Sequence, residues 1–170
     1  MARRTFTKVS PSVWQSARFR ALSDGERLGY LYLLTCSHVD SAGCFYLPDG
    51  YACADLDMQP ERYRKLREAL MSAGLIDFDP ASAFLRITRW FRHNPPMNVK
   101  HAQGTRTLIE AIPCERLRAD TLEEFEPFEH GVIEKAEETA ARKEMEKFKA
   151  GQTVGSAALL TTRIMAGAGR

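Results

Sequence analysis

The chain opens with apolar residues at helical spacing and changes to short alternating runs before its midpoint. Val13, Trp14, Ala17 and Ala21 share one face of a short amphipathic element between Val9 and Ser23. Ser23-Asp24-Gly25-Glu26 reads as a capping box, in which a hydroxyl and a carboxylate satisfy the orphan amides of a helix start. The helix it opens extends to about Val39, with Leu28, Leu31, Tyr32, Leu34 and Thr35 on its apolar side. Asp40–Gly43 is a turn cluster, Cys44–Leu47 a short strand, and Pro48-Asp49-Gly50 the break before a short helix over Tyr51–Leu56.

Pro60 suits the first position of a third helix, because its missing N–H would be unpaired there anyway. That helix runs to about Ala73, with Gly74 as its left-handed cap. At the helical repeat of about 100° per residue, Tyr63, Leu66, Leu70 and Ala73 form the buried stripe. Arg64 lies far from it, and Lys65 and Arg67 flank it. Leu75–Asp79 and Phe84–Thr88 are strand-like runs joined by a hairpin loop at Pro80–Ala83. Helix, strand, helix, helix, strand, loop, strand is the order of a winged helix-turn-helix. Trp14, Tyr30, Leu66 and Trp90 belong to its core on this reading, not to base stacking.

Asn94-Pro95-Pro96-Met97-Asn98 ends regular structure, which places a boundary between about Met97 and Gly104. Beyond it, Thr105–Cys114 and Glu115–Phe128 read as short helices. His130–Ala150 reads as a solvated helix without a clear heptad. The expected fold class is therefore α+β, a winged helix-turn-helix over residues 1–100 with an acidic, mostly helical extension over 101–150. Residues 151–170, rich in Gly, Ala and Thr, read as a flexible tail.

The net charge of +2 hides an asymmetry: residues 1–106 hold 15 Lys+Arg against 10 Asp+Glu, and residues 107–170 hold 9 against 12. Five cations and no acid fall in the first 22 residues. A basic front followed by an acidic helical part suits a nucleic-acid partner. No apolar run approaches the roughly 20 residues of a membrane helix, and the basic start lacks the apolar core of a signal peptide. A cytoplasmic location is expected, with Cys36, Cys44, Cys53 and Cys114 as free thiols.

Cys36-x-His38, Cys44 and Cys53 lack the tight knuckles of structural zinc sites, so no metal is expected. Phosphate-loop, dinucleotide, nucleophile-elbow and zinc-protease motifs are all missing, so neither a cofactor nor catalysis is expected. The acidic pairs Glu123-Glu124 and Glu137-Glu138 read as solvated helix faces.

Three stretches carry a family resemblance: KVSPSVWQSARFRALSDGERLGYLYLLT (Lys8–Thr35), AGLIDF (Ala73–Phe78) and LRITRWFRHNPPMN (Leu85–Asn98). Over roughly residues 5–100 the chain resembles the N-terminal winged-helix domain of phage and prophage replication-initiation proteins, the replisome organisers. The resemblance implies binding to repeated sites in origin DNA and recruitment of the replicative helicase or its loader. After Asn98 the chain departs from that pattern.

The expected partner is double-stranded DNA. Arg64, Lys65 and Arg67, with Arg62 nearer the core boundary, would read base edges from the third helix. Arg86, Arg89, Arg92 and His93 would meet flanking phosphates, and Arg3 and Arg4 would follow a groove or the backbone as an arm. Two rival readings use the same module: a transcriptional regulator, and a protein–protein adaptor. A palindrome in the protein's own promoter would favour the regulator, and tandem repeats beside replication genes the initiator.

Overall fold

The computed structural model describes residues 7–165. Its N-terminal part departs from the expected amphipathic face. Pro11–Gln15 form a 3₁₀ turn whose first amide, that of Ser12, is met by the Ser10 hydroxyl at 3.3 Å. Ser16 is extended and caps a separate short helix, α1 (Ala17–Arg20). This break resets the phase of the chain. Phe19 and Leu22 are buried, Ala17 and Ala21 are exposed, and Trp14 is 59% exposed with its ring edge-on to Phe19. Trp14 is therefore a surface residue, while Tyr30, Leu66 and Trp90 do lie in the core.

The capping box opens α2 (Asp24–Thr35), where the Glu26 carboxylate accepts from the Ser23 amide at 2.7 Å. The buried side of α2 is centred on Gly29, Tyr30 and Leu33, which leaves Leu28 exposed. The helix stops at Thr35, short of Val39, because Cys36 turns to extended backbone. A turn through Gly43 leads into β1 (Cys44–Tyr46). Gly43 has φ +64° and lies under the Trp90 ring, so any side chain there would meet both a left-handed backbone and an indole.

Next come α3 (Asp49–Leu56) and α4 (Pro60–Ser72). Tyr63, Leu66 and Leu70 form the buried side of α4, as the spacing predicts. Its end is a Schellman motif: Leu75 N–H donates to Leu70 C=O at 3.0 Å and Gly74 N–H to Met71 C=O at 2.9 Å, with Gly74 at φ +64°. The hairpin is β2 (Ile76–Asp79) and β3 (Phe84–Ile87). Its second strand also pairs with β1, giving a three-stranded antiparallel sheet in the order β1-β3-β2. Alternation along the hairpin buries Ile76, Phe78, Leu85 and Ile87.

Trp90–His93 form a one-turn helix, α5, which the sequence pattern does not suggest. α6 (Val99–Glu110) begins at Val99 rather than Thr105, because the Asn98 side chain caps it by accepting from the His101 amide at 2.8 Å. From Glu115 a single helix, α7, runs to Met165, through the expected break near Phe128 and into the stretch read as a tail. Pro127 lies inside it. Proline deprives the carbonyl four residues back of its partner. Here that residue is Glu123, exposed like Pro127 itself, so water can serve the carbonyl. Packing holds both sides of the proline: the Phe91 ring meets Phe125 at 4.9 Å and Phe128 at 6.2 Å.

The chain does not part near residue 100. Ala102, Ile109, Ile112, Leu117 and Phe125 belong to the same hydrophobic core as Phe19, Leu33, Tyr63 and Leu85. On α7 the buried positions Leu117, Thr121, Phe125 and Glu129 recur every fourth residue. From Glu134 to Lys149 every residue is exposed. The fold is α+β, mostly helical with one small antiparallel sheet.

Candidate nucleic-acid interface

The cations named from the sequence fall into three groups. On α4, Arg62 is exposed rather than near the core boundary as expected, and neither it nor exposed Lys65 has a carboxylate partner among the described residues. Their neighbours Arg64 and Arg67 both bond to Asp49 at the start of α3, Arg64 through Nε at 3.1 Å. Arg67 is only 11% exposed, with its guanidinium carbon 3.8 Å from the centre of the Phe78 ring. It locks α4 to α3 and the sheet and is not placed to read a base. The reason is its position next to Leu66, which turns it inward over Tyr63. Partial burial pushes the Asp49 carboxyl upward, but the hydrogen bonds from Arg67 and Arg64 outweigh it and hold the group below its usual range.

Arg86 forms the second group alone. On β3 it stands opposite Asp77 of β2, and its guanidinium bonds to Asp77 at 3.0 Å, to Glu124 at 2.8 Å and to the Asp120 carbonyl at 3.0 Å. At 12% exposure it is an internal tie between the sheet and α7, not a phosphate contact. Glu124 is correspondingly not a solvated residue. Its carboxylate also accepts the backbone amides of Arg89 and Phe91, each at 3.1 Å. These bonds hold Arg89 in left-handed backbone at φ +60° and cap α5 from a helix distant in sequence.

That capped turn presents the third group, Arg89, Arg92 and His93, all exposed. It is braced from beneath by Trp90, whose indole N–H donates to the Ser41 carbonyl at 2.9 Å. Around it the fold gathers two cations that the sequence reading counted only as charge, Lys8 and Arg18; all five line one cavity. Nothing in spacing signals that convergence, since Lys8 and Arg18 precede Arg89, Arg92 and His93 by 71 positions or more. Arg3 and Arg4 lie outside the described residues.

Among the described residues no three His, Cys, Asp or Glu side chains group to hold a metal ion. Cys36 and Cys44 are buried, and burial pushes the Cys44 thiol up to about 12. No helix among the described residues is long and apolar enough to cross a membrane. Compared with protein-family models, curated proteins and solved structures, the chain matches none.

Proposed function

We propose that this chain binds duplex DNA through a winged-helix module. In this reading α4 enters the major groove, β2–β3 is the wing, and the capped turn Arg89–His93 grips the flanking backbone. The observation that carries it is the pair Arg62 and Lys65, exposed on α4 and unpaired with any carboxylate among the described residues. Glu61 and Glu68 share the exposed side of α4, so this helix reads bases while the Arg89–Arg92–His93 group supplies the electrostatic grip. Arg64 contributes once Asp49 releases it; Arg67 and Arg86 serve the fold.

The process served follows from the resemblance to phage replication initiators: recognition of origin DNA, then recruitment of a helicase or its loader. The exposed arm of α7 from Glu134 to Lys149 offers that partner its surface. A protein-contacting winged helix is the second reading, favoured by Asp49, which occupies two of the four cations of α4.

Fluorescence anisotropy of the full chain on duplex DNA, over about 50–300 mM salt, tests the proposal. The expected log–log slope is several units, one per phosphate neutralised. Replacing both Arg62 and Lys65 by Ala should weaken binding by about 1–3 kcal/mol per lost base contact and relax sequence preference. No binding at the lowest salt sinks the DNA reading and leaves the adaptor.

A further inference from the structure

A cavity of about 420 Å³ lies between the N-terminal 3₁₀ turn and the β3–α5 junction. That volume is within the range of small-ligand sites. Its wall is chemically two-sided. Lys8, Arg18, Arg89, Arg92 and His93 supply cationic or protonatable groups, and not one Asp or Glu lines it. Val13, Phe19, Tyr30, Leu34, Ile87 and Trp90 supply an apolar floor. None of the four fixed cations, Lys8, Arg18, Arg89 or Arg92, makes an ion pair among the described residues, in a protein that pairs most of its half-buried arginines. Arg18 is fixed in place: one of its N–H groups donates to the Gly74 carbonyl at 2.5 Å, and that carbonyl also accepts from the Thr88 hydroxyl at 2.8 Å. Its remaining donors have no acceptor among the described residues.

Like charges gathered along one wall with no acid among them repel one another. A multiply charged anion relieves that repulsion, and an apolar body on that anion displaces water from the floor. We infer that this cavity is a binding site for a small organic phosphate, with its apolar or aromatic body over Ile87 and Trp90 and its phosphate among Lys8, Arg18, Arg89 and Arg92. The site shares Arg89, Arg92 and His93 with the backbone grip of the DNA reading, but Arg62 and Lys65, the pair that carries that reading, do not line it.

Calorimetric titration of the full chain with phenyl phosphate, inorganic phosphate and phenol tests the site. Phenyl phosphate should bind at least about tenfold more tightly than either fragment, a difference of about 1.4 kcal/mol. Replacing Lys8 and Arg92 together by Gln should weaken phenyl phosphate by about tenfold or more, with thermal stability unchanged. Val13→Phe, which fills the floor, should weaken phenyl phosphate while leaving inorganic phosphate as it was. The Arg62/Lys65 double Ala variant should bind phenyl phosphate like the parent. Equal affinity for phenyl phosphate and inorganic phosphate would overturn the inference, since charge alone would then be at work. So would undiminished binding by the folded Lys8/Arg92 variant. No DNA binding by the parent chain, with phenyl phosphate still bound, would refute the DNA reading and leave this site standing.

Discussion

Glu124 joins three parts of the molecule, and its removal has a calculable effect. The carboxylate accepts from Arg86 at 2.8 Å and from the amides of Arg89 and Phe91 at 3.1 Å, with 18% of the side chain exposed. A hydrogen bond to a charged group contributes about 1.5–3 kcal/mol counted singly. The three share one acceptor, Arg86 keeps Asp77, and water can reach the amide of exposed Arg89. Their sum is therefore sub-additive, and Glu124→Ala should cost about 3–4 kcal/mol. Glu124→Gln keeps the shape and one acceptor oxygen, so its cost should be about half that. Urea unfolding of the full chain reads both; for a chain of this size each kcal/mol also lowers Tm by about 2–4 °C. The variants should also bind DNA less well, because Arg89 loses the bond that fixes its left-handed backbone. A loss under about 1 kcal/mol for Glu124→Ala would refute the reasoning, as it would mean that α7 does not hold the β3–α5 junction. Equal losses for Ala and Gln would show that the charge of the carboxylate carries the whole effect, and that the shape and single oxygen kept by Gln contribute nothing.

Three further outcomes are expected. Gly43→Ala meets both the left-handed penalty of about 1–2 kcal/mol and the Trp90 ring, held in place by its bond to Ser41, so it should cost about 2–4 kcal/mol. Gly74→Ala has the same φ but only Arg18 Nη1 within reach, at 3.5 Å, and should cost about 1 kcal/mol, so similar losses in urea for the two variants would discount the indole contact. The fork of bonds from Arg106, which holds Glu129 below its ordinary value of 4.5, stabilises the fold above that pH and loses its effect as pH falls through the lowered value. Stability measured against pH should therefore fall more steeply below about pH 4.5 in the parent than in Glu129→Gln, and parallel curves would dissociate this pair from the acid limb.

The local features of this protein were legible in its sequence. The capping box at Ser23, the stripe Tyr63-Leu66-Leu70, the cap at Gly74 and the alternating hairpin all rest on interactions within a few residues of the chain, where spacing alone sets geometry. Trp14 failed for the same kind of reason in reverse: one extended residue, Ser16, rotates everything before it relative to everything after. Composition read α7 as two helices and a tail, because a stretch that holds a proline and then many charges is a weak local signal for one continuous helix.

For the candidate site, the sequence supplied the cations but not their employment. Whether an arginine is free or paired depends on carboxylates brought in from elsewhere: Asp49 for Arg64 and Arg67, Asp77 and Glu124 for Arg86. Residue types and spacing thus determined most of the α+β elements, the basic front and the outward side of α4 that bears Arg64 and Lys65. Only the tertiary structure decided that α7 completes the core, that Glu124 caps the turn bearing Arg89, and that Lys8 and Arg18 join it around one cavity. These are contacts between segments distant in sequence, and the energy that selects them is packing and charge pairing, which leaves no period along the chain.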